Sequence, residues 1–286
     1  MGAAGIVARH IKSLGGQSSI YTILGNDTDA EEVQKCLDKE GVKLHAIRSD
    51  KYGTIKKSRF LADNQKLLKV DYSKTIYLEK EQEDEIIEKV KANEKDADCI
   101  VFSDFAYGFI TDRIRKEVIT WANENDIKVI ADVSSTLGGN ISKYKDVFLI
   151  TPTEKEARMF FDDKEGGLSV IAHNLLKLTG SKNIIITLGA NGLLAFKNKK
   201  FQVHGDEHEH LENEYIPALE KKALDPVGAG DAMLSMISLS LSAGASLSEA
   251  VYLGNIASYL EVNQLGNIPI RQEKVLEFLH ERPELA

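Results

Sequence analysis

Two aspartates and two glycines fall close together in Asp225-Pro226-Val227-Gly228-Ala229-Gly230-Asp231, directly before an apolar run from Ala232 to Leu241. Glycine at 228 and 230 permits tight or left-handed turns that a side chain would block. A helix starting here leaves its first N–H groups unpaired. Such a terminus attracts phosphate through hydrogen bonds and through the helix dipole. Asp231 falls in the first turn of that helix, close to any anion bound there. A carboxylate beside a phosphate is repulsive unless it has a task, such as accepting a proton from an attacking hydroxyl. The plain alternative is a glycine loop whose Asp caps the helix. The full D-x-x-G-A-G-D spacing ahead of an apolar helix is far more specific than an isolated G-x-G-D.

The rest of the chain supplies elements to hold this loop. Ile6 to Leu14 reads as an amphipathic helix ended by Gly15-Gly16. Ser19 to Leu24 reads as a strand and Gly25-Asn26-Asp27 as a turn. Thr28 or Asp29 then caps a helix through about Glu40. Further strands are expected at Ala97–Ser103, Lys128–Asp132, Val147–Thr151 and Asn183–Thr187, with helices at Glu79–Asn93, Asp112–Asn125 and Glu154–Phe161. Gly192–Lys197 and Lys200–His204 look like an antiparallel hairpin, and Ser246–Val262 and Arg271–His280 like closing helices. This alternation implies an α/β fold with a mostly parallel central sheet flanked by helices. Three strands run into polar residues, Asp104, Asp132 and Thr151, and ligands of open α/β sheets collect at strand carboxyl ends.

One stretch breaks the alternation. Thr54–Leu61 and Lys66–Tyr72 are strand-like, with Asp63-Asn64 as turn chemistry between them. A hairpin here is expected to form a flap over the active-site edge; a sheet-edge hairpin without function is the alternative. Lys57 and Arg59, two apart, share one strand face, and Lys69 lies on the partner strand. Such a cationic face suits a phosphorylated substrate, or is simply a solvated basic face.

Composition narrows the classes. With 286 residues, 43% of them hydrophobic, the chain can bury a substantial core. A net charge of -8 argues against a general nucleic-acid or anionic-membrane binder. Cys36 and Cys99 have neither metal nor disulfide spacing, which suits a reducing compartment. No apolar run reaches the ~20 residues that span a bilayer, and no signal peptide is visible, so a cytoplasmic protein without a membrane partner is expected. His204, His208 and His210 lie among acids in a segment read as an exposed polar loop; a metal site there is a weak reading. No G-x-G-x-x-G follows an early strand, which sets aside a nicotinamide-dependent dehydrogenase.

Several blocks, in order, resemble the ribokinase-like (PfkB) carbohydrate kinases. Asp225 with Gly228–Asp231 is similar to their signature, in which the second Asp is the catalytic base. Thr187-Leu188-Gly189-Ala190-Asn191-Gly192 is similar to their T-L-G-x-x-G turn beside the nucleotide. Thr151-Pro152-Thr153-Glu154-Lys155-Glu156 resembles their P-N-x-x-E block, whose Glu organises magnesium through water; Thr153 stands for the usual Asn. Gly254-Asn255-Ile256-Ala257 resembles a helix whose Asn lies by the adenine. Within the superfamily the look is nearest to the kinase part of the heptose-phosphate kinases of ADP-heptose synthesis. Thr54-Ile55-Lys56-Lys57-Ser58-Arg59, Gln65 to Asp71, and Ser103 to Gly108 match that group's blocks, with Lys69 for an Arg and Tyr107 for a Lys.

The resemblance implies ATP-dependent phosphoryl transfer to a hydroxyl of a small-molecule sugar or sugar phosphate. Asp231 would be the base, and the N–H groups of Gly228, Ala229 and Gly230 the anion hole. Thr187, Gly189, Gly192 and Asn255 would lie by the nucleotide. Lys57, Arg59, Lys69 and Asp104 would hold the substrate, and Glu156 would serve Mg2+. Asp225 would shape the loop or serve a monovalent cation. A kinase of an unphosphorylated sugar or nucleoside, and a non-catalytic nucleotide-binding module, are the alternatives. The expected organisation is one kinase-type domain over residues 1–286, with a lid hairpin at about 53–72. A homo-oligomer or a fused second domain is compatible with it. Family members begin with a further strand and lid segment before the region where Ile6 lies; without that strand the sheet is expected to show apolar edges and a gap.

Overall fold

The computed structural model describes residues 1–62, 65–134, 138–203 and 206–282. Helix α1 (Ala4–Ser13) leads into strand β1 (Ser19–Gly25), helix α2 (Thr28–Glu40) and strand β2 (Lys43–Ser49), and β1 and β2 pair in parallel. The cap of α2 is Asp27, not Thr28 or Asp29. Its Oδ1 accepts from the Ala30 N–H at 2.8 Å, and the same carboxylate takes the Thr54 N–H at 2.7 Å and the Thr54 hydroxyl at 2.7 Å. Asp27 wins because one carboxylate satisfies both a helix start and the root of the flap. Strand β2 escapes the sequence pattern, since Lys43, His45 and Arg48 interrupt its apolar residues.

The stretch expected to form a flap is a hairpin. Strands β3 (Lys56–Ala62) and β4 (Gln65–Tyr72) make a two-stranded antiparallel sheet of their own, with a slip in register between Phe60 and Leu61. The turn at Asp63-Asn64 lies outside the described residues.

Helix α3 (Lys80–Asn93) then opens the main layer: β5 (Cys99–Asp104), α4 (Asp112–Glu124), β6 (Lys128–Val133), β7 (Leu149–Ile150), α5 (Glu154–Phe161), α6 (Leu168–Thr179), β8 (Asn183–Thr187), β9 (Leu193–Val203) and β10 (Asp206–Ile216). The sheet order is β10-β9-β8-β7-β6-β5, parallel from β5 to β8 and antiparallel at β9 and β10. Val129–Ala131 of β6 and Asn183–Ile186 of β8 are buried, as continuous runs in a sheet covered on both faces should be. The hairpin read at 192–197 and 200–204 is corrected: β9 is one strand through Val203, and its partner is β10. The segment read as a polar loop is thus mostly strand. His, Glu and Asn on both faces of β10 hide its period, and the ladder to β9, with a Lys199–Glu212 ion pair at 2.5 Å, supplies what the pattern lacks. Helix α6 also goes unread in the sequence, because Gly167 starts it without a capping side chain.

Helices α7 (Ala229–Ser242) and α8 (Leu247–Val262) pack against each other, and α9 (Gln272–His280) closes the chain. Ser246 and Glu249 form a reciprocal cap at the start of α8. Almost every residue of α7 after Asp231 is buried. Among the described residues the β1–β2 pair is not hydrogen-bonded to the six-stranded sheet. A cavity of about 1410 Å³ is lined by both β1 and β5.

Candidate active site

The glycine loop is built from beneath. Gly228 adopts φ 92°, and a Cβ there would meet Glu261 Oε1 at 2.6 Å and Asn267 Oδ1 at 2.9 Å. Only glycine satisfies both the backbone and the space. Asp225 holds the approach: its Oδ1 accepts from the Val227 N–H at 3.0 Å and its Oδ2 from the Gly266 N–H at 3.3 Å. Ser258 of α8 donates its hydroxyl to the Ala229 carbonyl at 2.9 Å. Ala232 donates to the Gly228 carbonyl at 2.9 Å, so the N–H groups ahead of it belong to the unpaired first turn of α7. At Gly230 no atom lies within 4 Å of a would-be Cβ, so that glycine faces open space.

Asp231 is the third residue of α7 and lines the cavity. Burial pushes its carboxyl up to about 6, and the charges of Lys57 and Arg59 pull against that rise. The flap cations therefore act on this acid. Lys57 and Arg59 also line the cavity, whereas Lys69 pairs with Asp71 at 2.9 Å and stands opposite Arg59 in the ladder. The Lys57 ammonium sits 4.0 Å from the Phe105 ring centre and 5.2 Å from that of Tyr107. Burial, then Lys69, lowers its pKa. Tyr107 donates its hydroxyl to Asp71 at 3.2 Å, so the residue standing for a Lys tethers the flap instead of adding a cation.

Asp104 lies in the cavity wall, but its oxygens have internal partners. Oδ1 accepts from the Ala106 N–H at 2.8 Å and Oδ2 from the Tyr144 hydroxyl at 2.6 Å. It thereby fixes the turn that carries Phe105 and Tyr107. Asp132 is the acid to which the sequence assigned no role. Its pKa rises to about 7 through burial first, then through the charges of Asp231, Glu156 and Asp104, against a hydrogen bond from Thr151 at 3.0 Å. Glu156 opens α5 in a reciprocal cap. Its Oε2 accepts from the Thr153 N–H at 2.9 Å, and its own N–H donates to Thr153 Oγ1 at 3.1 Å. Thr153 thus serves as the helix cap.

The residues assigned to the nucleotide form a second group outside the cavity lining. Thr187 bridges to Thr153, and its N–H donates to the Pro152 carbonyl at 3.0 Å. Gly192, at φ 93°, lies so close to the Ile216 carbonyl and Ala218 N–H that a Cβ would collide with both. Gly189, at φ 58°, has open space around it. Asn255 is buried and donates to the Pro217 carbonyl at 2.9 Å, which ties α8 to the segment under Gly192. Glu261, buried with Oε1 unpartnered and its pKa raised to about 7 by burial, escaped the sequence reading. The available signal was a lone acid between Leu260 and Val262 in an apolar helix. Of the histidine cluster, His204 lies outside the described residues and His210 is exposed. Among the described residues no group of three or more His, Cys, Asp or Glu is arranged to hold a metal ion.

The mouth of α7 brings unpaired first-turn N–H groups and the partly buried Asp231 carboxyl together. The class is that of the sugar kinases, phosphotransferases with an alcohol group as acceptor. Residues 2–273 match the pfkB family carbohydrate kinases, and the chain belongs to that family. It is 27% identical over 281 residues to the bifunctional protein HldE of Citrifermentans bemidjiense, covering 96% of this chain and 55% of that protein. With HldE of Aliarcobacter butzleri it shares 28% over 282 residues, 97% of this chain and 56% of that protein. The chain spans about half the length of these curated relatives. Among solved structures, phosphofructokinase-2 from Escherichia coli in complex with potassium has a TM-score of 0.76 at 19% identity, over 95% of this chain and 84% of that one. Ribokinase from Thermotoga maritima has 0.75 at 22%, over 98% and 87%. Both likenesses bear out the ribokinase-like fold.

Proposed function

We propose that this chain transfers the γ-phosphoryl group of ATP to a hydroxyl of a phosphorylated sugar, of the kind handled by heptose-phosphate kinases. The observation that carries the reading is that Lys57 and Arg59 of the flap line the same cavity as the Asp231 carboxyl. A cationic flap facing the base suits a substrate with its own phosphate at a distance from the reacting hydroxyl. The HldE relatives point the same way.

The residues divide the work. Asp231 accepts the hydroxyl proton. The N–H groups of Gly228, Ala229 and Gly230 hold developing negative charge. Lys57 and Arg59 bind the sugar's phosphate; Lys69 neutralises Asp71 and adds to the positive field; Asp104 sets the turn under Lys57. Thr187, Gly189, Gly192 and Asn255 frame the nucleotide side. The charges of Asp231 and Glu156 both act on Asp132, and these acids would hold Mg2+ through its waters. When bound, ATP supplies the transferable group and Mg2+ neutralises its charge. Both Asp225 oxygens already take N–H donors, so its task is to shape the loop. The potassium of the E. coli phosphofructokinase-2 structure makes a monovalent cation a proposed addition near that loop. No helix among the described residues is long and apolar enough to cross a membrane, which suits the cytoplasmic location we propose.

The test is ADP release with ATP, Mg2+ and a panel of heptose 7-phosphate, fructose 6-phosphate, the parent sugars and nucleosides. Turnover is expected with a phosphorylated sugar and is lost in Asp231→Asn. Turnover only with unphosphorylated acceptors would overturn the substrate reading, and an active Asp231→Asn would remove the base. A second reading, nucleotide binding without turnover, is favoured by the cavity that opens beside Asp231. ATP binding with no acceptor phosphorylated would establish it.

A further inference from the structure

Glu261 lies in the last turn of α8 and is 1% exposed. Its Oε2 accepts from Gln264 Nε2 at 2.5 Å, but its Oε1 is buried without a partner. Asn267 Oδ1 is buried and unpartnered as well, while Asn267 Nδ2 donates to the Met1 carbonyl at 3.4 Å. The two orphaned oxygens press on the same point, 2.6 and 2.9 Å from where a Gly228 Cβ would stand. Gly228 is the residue that starts α7, yet Glu261 Oε1 takes none of the N–H groups of that start.

Two buried acceptors without a donor are costly, and a proton on one of them satisfies both. The surroundings put that proton on Glu261. The end of α8 carries the negative pole of its helix. The charges that act on Glu261 are those of Asp231 in α7 and Asp225 in the loop, both negative. Helix α1, packed on α7, supplies no compensating cation. His10 accepts from the Ile270 N–H through Nδ1 at 3.1 Å, and burial lowers its pKa to about 4; Arg9 is paired with Glu40 at 2.6 Å. Helix α9 meets α8 through the apolar Val275 and Phe278. Burial accordingly raises the Glu261 pKa to about 7, against the hydrogen bond from Gln264.

We propose that Glu261 is a positioning residue of the phosphate cradle: as the neutral acid it donates from Oε1 to Asn267 Oδ1, braces Gly228, and keeps negative charge away from the bound anion.

This inference rests on the reading of Gly228–Gly230 as the cradle for the nucleotide's phosphate. A carboxylate pressed against that loop would repel the phosphate, so nucleotide and proton favour each other's binding. ATP affinity should fall as pH rises through the Glu261 pKa, and ATP binding should take up a proton.

The test is calorimetric titration of the 286-residue chain with ATP and Mg2+ from pH 7 to 9. Affinity should drop by about five- to tenfold, as for a bound-state pKa about one unit higher. Glu261→Gln keeps a donor toward Asn267 and cannot ionise, so its affinity should stay level across that range. Glu261→Met, without a donor, should bind about tenfold more weakly at every pH. A pH-level affinity in the unsubstituted chain, or the same fall in Glu261→Gln, would overturn the inference and leave the kinase reading intact. No ATP binding at any pH would overturn both. A second readout needs no nucleotide. The infrared difference between the unsubstituted chain and Glu261→Gln at pH 6 should contain the carbonyl stretch of a protonated carboxylic acid. Carboxylate bands there instead would mean that Asn267 turns its amide toward an ionised Glu261, and would overturn the neutral acid.

Discussion

The mouth of α7 and the flap face each other across one cavity, yet they are built differently. The mouth sits on two packed helices, with Gly228 pressed on Glu261 and Asn267 and Ala229 anchored by Ser258. The flap is a separate two-stranded sheet whose ties to the rest include Asp27 at its root, Lys56–Asp29, Asp71–Tyr107 and Lys57 on Phe105. A shift of a few tenths of an ångström would misplace an anion hole, so its donors belong on elements fixed by core packing. A cation gripping a remote phosphate tolerates more play. On the proposed function, the contrast separates the chemistry from the choice of substrate.

The sharpest break of that contrast is at the base. Asp231→Asn is expected to lower kcat by about 10²–10⁴ with the melting temperature unchanged or raised, checked by ADP release and calorimetry. Next is the support of the mouth. Gly228→Ala forces a side chain into a positive-φ site already occupied by Glu261 and Asn267, and should cost about 1–3 kcal/mol of stability as well as activity. Gly230→Ala, with open space around it, should keep its stability and lose rate only.

The flap should answer differently. Arg59→Met or Lys57→Met is expected to raise KM for a phosphorylated sugar by about 10–100-fold, with a smaller effect on kcat and little on an unphosphorylated one. Both cations hold the Asp231 carboxyl below the level burial alone would set. In either variant the acid keeps its proton to higher pH, so the acid limb of kcat/KM, expected near 6, moves upward. An unmoved limb would detach the flap from the base.

The smallest effect is on stability. Asp132 is raised from the ordinary 3.8 to about 7 by burial. Below the lower value both folded and unfolded chains hold the proton. Between the two values the unfolded chain ionises first, so stability falls as pH rises through this window and stays low above it. Asp132→Asn should therefore melt about 2–5 °C higher at pH 8 and no higher at pH 4.

The parts legible in the sequence share a property: their signal lies in neighbouring residues. Glycine spacing and the apolar run located the mouth of α7, and period-two cations with a turn located the flap. Strand β10 was illegible because its partner strand, not its own pattern, stabilises it; helix α6 carries an apolar face at Ile171, Ala172, Leu175 and Leu176 but lacks a capping side chain to mark its start. Asp104 and Thr153 show the limit for single residues. Asp104 looked available to a substrate and is engaged by backbone and Tyr144 once the chain folds, and Thr153, read only as standing for an Asn, turns out to cap a helix.

By itself the sequence determined which groups can do chemistry, because reactivity follows residue type, and it determined local turns, because φ depends on the residue occupying a position. The tertiary structure alone decided that Lys57 and Arg59 face Asp231 from some 170 residues away. It also decided that Glu261 supports Gly228. Charge coupling and close contact act through space, and the distances that set them exist only after the core has packed.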